Sequence, residues 1–273
     1  MTTKIDTDAV PTLFAEGEEQ TIRKFWNAKP FPHVWIDDFL PRERFDRLVR
    51  SEEASAEKPD FEFNTSLERN KTTYSSDAVS TESQSLVASI TAPQFLKEIS
   101  RLTGIPDIIP LTEYKSQSLR FHHKMEDGGF LGSHVDHSAV REGRVHFLNC
   151  IFYGPATWKP EWGGQTLLFD KWGFREQARV ECTPNRLLIF LHTSESFHGV
   201  ARLTGNPHSR PTVYMDYYAK LNDLKLLDVQ AARNGSAFAS KFWRHYTTFV
   251  PRSLKDSLRY MHPYLMYLLR RGY

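Results

Sequence analysis

Two metal-binding residue types set two positions apart, His134 and Asp136, constrain what this chain can fold into. In an extended strand, residues i and i+2 point to the same face. The pair therefore delivers an imidazole and a carboxylate together only if the segment is a strand. A third ligand has to arrive from elsewhere. His198 stands in a small-residue turn with Phe197 and Gly199, and the stretch before it reads as several short strands. A sheet that curls into a barrel brings such a late strand opposite an early one. Two imidazoles and one carboxylate suit non-haem Fe(II) with coordination positions left open. Downstream, Arg210 and Thr212 repeat the i, i+2 spacing, so a guanidinium and a hydroxyl share a face and can grip one carboxylate.

An H-x-D pair alone is weak. The chain has 11 histidines, and His122, His123, His137, His146, His192 and His208 would serve as ligands in other schemes. The ordered combination of H-x-D, a distal His in a small-residue turn and an R-x-T strand is far rarer, and it points to a metal site.

Around this centre the chain reads as mainly β with flanking helices. Residues 1–16 carry no pattern. Glu18 to Trp26 suits a short helix, and PHVWIDDFL opens as a half-buried strand with Val34 and Ile36 on one face. Pro41 starts a helix whose apolar face holds Phe45, Leu48 and Val49. Residues 55–80 are polar without a period and read as a loop or hairpin near the site mouth. Two helical stretches cover Gln84 to Gly104, broken at Pro93 and stopped at Gly104. About eight short strands follow: Ser118–His123, Phe130–His137, Val145–Tyr153, Gln165–Asp170, Ala178–Cys182, Arg186–His192, Ser196–Ala201 and Arg210–Lys220. Gly128-Gly129 reads as a tight turn between the first two. In Val145–Tyr153, alternation puts Asn149, Ile151 and Tyr153 on one face and His146, Leu148, Cys150 and Phe152 on the other. Two facing sheets in a jelly-roll barrel result.

The motifs GGFLGSHVDH (128–137), RVHFLNCIFY (144–153), EWGGQTLLFD (161–170), PNRLLIF (184–190), SESFHGV (194–200) and RPTVYMDYY (210–218) resemble, in order and spacing, the Fe(II)/2-oxoglutarate-dependent oxygenase superfamily in its prolyl-4-hydroxylase-like branch. FPHVWIDDFLP (31–41) is similar to that family's entry strand. The resemblance implies a double-stranded β-helix (jelly-roll, cupin-like) barrel over 31–220, after an extension and short helix over 1–30 and before a helical tail over 221–273. It implies Fe(II) on His134, Asp136 and His198, with 2-oxoglutarate as co-substrate and O2 as oxidant. Arg210, with Thr212, would take the far carboxylate; Asn149 and Tyr153 are further co-substrate contacts if their face lines the pocket, and Tyr114 is an open candidate. Ascorbate would serve as reductant. The implied reaction is hydroxylation of an unactivated C–H with decarboxylation of 2-oxoglutarate to succinate. Related halogenases lack the carboxylate ligand, so Asp136 favours hydroxylation. Many prolyl hydroxylases of this branch carry Lys where Arg210 stands, which weakens the peptidyl-prolyl alternative.

The remaining composition narrows the partners. A net charge of +2 gives no footprint for nucleic acid. Cys150 and Cys182 are far apart in apolar strands and read as buried free thiols. With a polar beginning and no run long enough to span a bilayer, the chain reads as cytoplasmic. Asn234-Gly235-Ser236 matches a glycosylation sequon but reads as a turn. The tail places Leu254, Leu258, Met261, Leu265, Leu268 and Leu269 at helical spacing among arginines, with Pro263 as a kink. Residues 251–273 either pack on the barrel, form a homodimer contact, or lie on an anionic membrane surface as a peripheral anchor at its inner face. The membrane reading points to a small molecule or a sugar of a lipid-linked glycan, such as a lipopolysaccharide precursor, as substrate. The non-enzyme alternatives are a structural metal-binding barrel and a membrane adaptor.

Overall fold

A computed structural model describes residues 11–53, 58–65, 67–75, 79–111, 122–136, 143–224 and 237–238. Its elements are helix α1 (Glu18–Asn27), strand β1 (His33–Ile36), α2 (Arg42–Glu53), β2 (Phe61–Phe63), β3 (Glu68–Tyr74), α3 (Thr81–Thr91), α4 (Pro93–Thr103), β4 (Ile109–Pro110), β5 (His122–Val135), β6 (Arg144–Tyr153), β7 (Thr166–Phe169), β8 (Glu176–Val180), β9 (Arg186–Leu191), β10 (His198–Val200), β11 (Arg210–Lys220), α5 (Leu221–Leu224) and β12 (Ala237–Phe238).

The strands run antiparallel in the order β1-β9-β6-β11-β5-β10-β7-β8. The long β5 belongs to both halves of this path. Its first half pairs with β11, Met125 opposite Arg210, and its second half pairs with β10, His134 opposite His198. The sheet thus folds over on itself at β5 and becomes a double-stranded β-helix.

Alternation along the strands divides the core in two. Leu187, Ile189 and Leu191 of β9 and Leu148, Cys150 and Phe152 of β6 face α3 and α4, where Leu86, Ile90, Phe95, Ile99 and Leu102 are fully buried. Burial of each such side chain stabilises by about 1.5–3 kcal/mol. The intervening Leu188, Phe190, Ile151 and Tyr153 point into the barrel with Leu168 and Val180. The break expected at Pro93 is real: Pro93 is the first residue of α4, and Gly104 closes that helix in the left-handed conformation at φ 72°.

Two expectations are corrected. Gly128-Gly129 is not a turn between strands. β5 passes straight through it, and the extra residues loop out opposite Asn70, where the β3 register shifts between Arg69 and Lys71. Neighbouring β3 holds both halves of β5 in one strand, so the glycines serve a bulge. The second correction concerns His146. β6 shifts register against β11, Tyr217 pairing with Leu148 but Tyr218 with His146. The extra residue, Phe147, turns His146 over to the face of Asp216 and Tyr218, away from Leu148.

Cys150 and Cys182 are buried free thiols, as expected. Residues 55–80 contain the β2–β3 hairpin, which extends the sheet along β5. β12 pairs with β5 at Val135 and His134. Tyr114 and the tail helix expected over 251–273 lie outside the described residues. No helix among the described residues is long and apolar enough to cross a membrane.

Candidate metal centre

His134 sits in the last turn of β5's pleat and Asp136 just beyond its end. Two-residue periodicity aims both side chains at the register partner His198, which opens β10. Their ligating atoms all lie within 4.8 Å of one another, the one such cluster among the described residues. His134 Nε2 is 3.1 Å from Asp136 Oδ1, and His198 Nε2 is 3.3 Å from Asp136 Oδ2.

The opposite nitrogen of each ring is committed. His134 Nδ1–H donates to Gly132 O at 2.9 Å and His198 Nδ1–H to Ser196 O at 3.0 Å. A carbonyl only accepts, so these bonds put the proton on Nδ1 and turn the Nε2 lone pairs toward the carboxylate. Two lone pairs and an anion facing one another attract positive charge, which a proton on His198 supplies in the apo-protein and a metal ion would supply in its place. Asp136 and His198 respond accordingly. Burial works to raise the Asp136 carboxyl, but the His198 and His134 imidazoles outweigh it and hold it well below the usual carboxylate range. Burial works to lower His198, and the Asp136 charge overcomes it, leaving the imidazole above its ordinary value. The donor set, its geometry and its electrostatics fit a divalent metal on the His134–Asp136–His198 face.

Asn149 lies beside this face, as alternation along β6 predicts, but its observed partner is Asp136: Nδ2 donates to Oδ2 at 2.7 Å. It steadies the carboxylate that would ligate the metal.

Arg210 lies deeper in the same barrel, 2 % exposed. Its Nε donates to Gly164 O at 2.7 Å, its NH2 reaches Thr166 Oγ1 at 3.4 Å, and its guanidinium lies 5.2 Å from the centroid of the Tyr153 ring. Tyr153 shares a 2.6 Å hydrogen bond with Thr166, and burial pushes its phenol up, so it keeps its proton. Arg210 makes no ion pair among the described residues, which leaves a buried guanidinium without an anion. Thr166 stands two residues along β7 from Leu168, the register partner of His198. The guanidinium's contact is therefore roughly 7 Å along the strand from the metal row. Thr212 is buried on the same strand and lines a cleft beneath α2 and α3 with Glu52, His122 and Lys124; none of the three metal-facing residues lines that cleft.

Sequence reasoning missed Gly164 and Thr166. The glycine has a steric cause. A Cβ there would lie 2.8 Å from Trp158 Cζ2 and 3.1 Å from Arg210 Cδ, so only glycine admits the arginine stem. The signal was Gly163-Gly164 before a strand, a mark of close backbone approach.

Residues 119–215 match the family model described as 2OG-Fe(II) oxygenase superfamily. No curated protein matches the chain in sequence. Among solved structures, a prolyl hydroxylase from Trichoplax adhaerens, in complex with a hypoxia inducible factor peptide, shares 15% identity at a TM-score of 0.53, with 77% of this chain and 93% of that one covered. A Pseudomonas putida prolyl-4-hydroxylase shares 16% at 0.50, covering 73% and 98%. HygX from Streptomyces hygroscopicus, with nickel, 2-oxoglutarate and hygromycin B bound, shares 9% at 0.50, covering 78% and 97%. At these identities the structural likeness establishes the fold, while the matched segment contains every residue assigned to the metal and to the buried guanidinium.

Proposed function

We propose, from the match of residues 119–215 to the 2OG-Fe(II) oxygenase superfamily model, that the protein is an Fe(II)- and 2-oxoglutarate-dependent dioxygenase that hydroxylates an unactivated C–H. His134, Asp136 and His198 would hold Fe(II). Arg210 would bind the far carboxylate of 2-oxoglutarate, with Thr212 and Tyr153 as further co-substrate contacts. Bound iron and co-substrate would supply the oxidising power, one atom of O2 going into succinate as 2-oxoglutarate loses carbon dioxide and the other into the new hydroxyl on the substrate carbon. Ascorbate would keep the metal reduced.

One observation carries this reading: a buried guanidinium without an anion among the described residues, in the barrel that also holds a two-imidazole, one-carboxylate face. A structural metal site needs the second feature and has no use for the first. The chain's own contribution is placement. Nδ1 hydrogen bonds orient both imidazoles, Asn149 fixes the carboxylate, and Ile151, Leu168, Leu188 and Phe190 give the interior apolar walls that exclude water.

For the substrate we favour a small hydroxylated molecule or the sugar of a lipid-linked glycan, bound at the inner face of a membrane in the cytoplasm through residues 251–273. The same tail would alternatively pack on the barrel or serve a homodimer. Peptidyl-prolyl hydroxylation is the second reading, favoured by the prolyl hydroxylases among the structural neighbours.

Anaerobic titration of the apo-protein with Fe(II) and then 2-oxoglutarate tests the reaction class. Wild type should develop a visible metal-to-ligand charge-transfer band, which His134→Ala abolishes. Confirmed metal binding without such a band would leave a structural metal protein instead.

A further inference from the structure

Past the metal face, on the side away from Arg210, the barrel carries a second polar layer. The strand registers order it. Along β11, Thr212 pairs with Tyr153 beside the guanidinium, Asp216 pairs with Asn149 at the metal row, and Tyr218 pairs with His146 one step further. On β9, Phe190 pairs with Asn149, and His192 follows just past the strand's end. His146 and His192 are both 0 % exposed, and their rings stack at 3.9 Å with 16° between planes. His146 Nε2 lies 3.2 Å from Leu148 O and 3.6 Å from Asp216 Oδ1.

Four polar atoms of this layer have no hydrogen-bond partner among the described residues: His146 Nδ1, both ring nitrogens of His192, and Asn149 Oδ1. Buried polar atoms are costly to leave unmatched, and four side by side next to a reactive centre form the complement of something polar. Burial, with His146 beside it, holds His192 well below its ordinary pKa and therefore neutral. A neutral imidazole offers one donor and one acceptor. A hydroxyl group offers the same pair in return. A proline ring offers neither, and a carboxylate offers only acceptors.

We propose that His146 and His192, together with the Asn149 carbonyl, form a specificity subsite that reads hydroxyl groups on a polyhydroxylated substrate, of the sugar class, held against the metal face. This rests on the oxygenase reading and deepens it. The two histidines touch substrate but stand apart from the metal and from 2-oxoglutarate, so their loss alters which substrate binds and leaves cofactor loading intact.

The test uses the full chain loaded anaerobically with Fe(II) and 2-oxoglutarate. The probes are methyl hexosides, and for comparison an end-capped prolyl peptide. Binding is followed by the shift of the charge-transfer band, and turnover, after oxygen is admitted, by succinate release. The hexosides should shift the band saturably and raise succinate release, and the peptide should do neither. His192→Leu should weaken hexoside binding roughly 10- to 100-fold, the scale of two lost hydrogen bonds, with the affinities for Fe(II) and 2-oxoglutarate unchanged. His192→Gln, which keeps a donor and an acceptor, should recover part of the loss. The proposal is overturned if the peptide shifts the band and the hexosides do not, if no hexoside shifts it, or if His192→Leu binds hexosides like wild type. Loss of the cofactor band itself in His192→Leu would assign the pair a structural role and also overturn it. The hexoside-against-peptide comparison in wild type decides the matter even if the variants fail to fold. Absence of the band in wild type is a separate failure, of the oxygenase reading itself.

Discussion

Replacing Arg210 by Met separates binding from stability. The guanidinium is buried and held by a carbonyl and a hydroxyl, with no carboxylate among the described residues. If its partner is the far carboxylate of 2-oxoglutarate, Arg210→Met leaves that anion desolvated and unpaired. Truncating one member of a buried, hydrogen-bonded charge pair costs about 2–5 kcal/mol. At ~1.4 kcal/mol per tenfold, that is a rise of roughly 30- to 4,000-fold in the dissociation constant of 2-oxoglutarate. The protein alone behaves differently. Removing an uncompensated buried charge is favourable, whereas leaving Gly164 O unbonded costs about 1–3 kcal/mol, so the two nearly cancel. The melting temperature should stay within about 5 °C of wild type. The assay titrates 2-oxoglutarate into Fe(II)-loaded wild type and variant without oxygen, following the charge-transfer band, with thermal melts of both apo-proteins alongside. Unchanged 2-oxoglutarate affinity, with the metal still bound, would refute the reasoning. A variant that melts far below wild type would show instead that the guanidinium serves the fold.

Three further outcomes follow from the geometry. Asn149→Ala removes the 2.7 Å bond to Asp136; metal affinity by calorimetry should fall roughly 10- to 100-fold with little change in 2-oxoglutarate affinity once the metal is saturating. Gly199→Ala places a Cβ 2.7 Å from Leu131 O, which forces β10 away from β5; about 1–3 kcal/mol of stability should be lost in urea melts, together with metal affinity, because His198 moves off its partner His134. The third concerns pH. His198 is raised above its ordinary 6.5 by Asp136, so in the apo-protein its stabilising contribution is complete below that value and is lost as pH rises through the folded pKa. Metal needs the neutral ring, so the melting-temperature gain on adding Mn(II) should grow as pH is raised from about 6 to about 8, and a flat gain would contradict the pairing.

Much of the centre was legible because it depends on short-range rules. The i, i+2 relation of His134 and Asp136, the helix break at Pro93 and the stop at Gly104 all follow from local backbone geometry. The alternation that set Asn149 and Tyr153 toward the interior holds because β6 is regular from Leu148 onward. It fails at His146, where one extra residue reverses the parity, and nothing in RVHFLNCIFY marks Phe147 as that residue. The same limit applies at Gly128-Gly129. A pair of glycines suits a turn and a bulge equally, and the choice belongs to β3, a strand distant in sequence.

By itself, then, the sequence determined the residue types, their order and their pairing within single strands, which was enough to single out the two-histidine, one-carboxylate cluster and to propose Arg210 as its companion. Tertiary structure decided the rest. It set His198 opposite His134, turned Asn149 onto Asp136, threaded Arg210 past Gly164 to Thr166, and stacked His146 on His192. The physical reason is that side-chain direction alternates along a strand by local geometry, whereas register and bulges are fixed by hydrogen bonding between strands far apart in the chain.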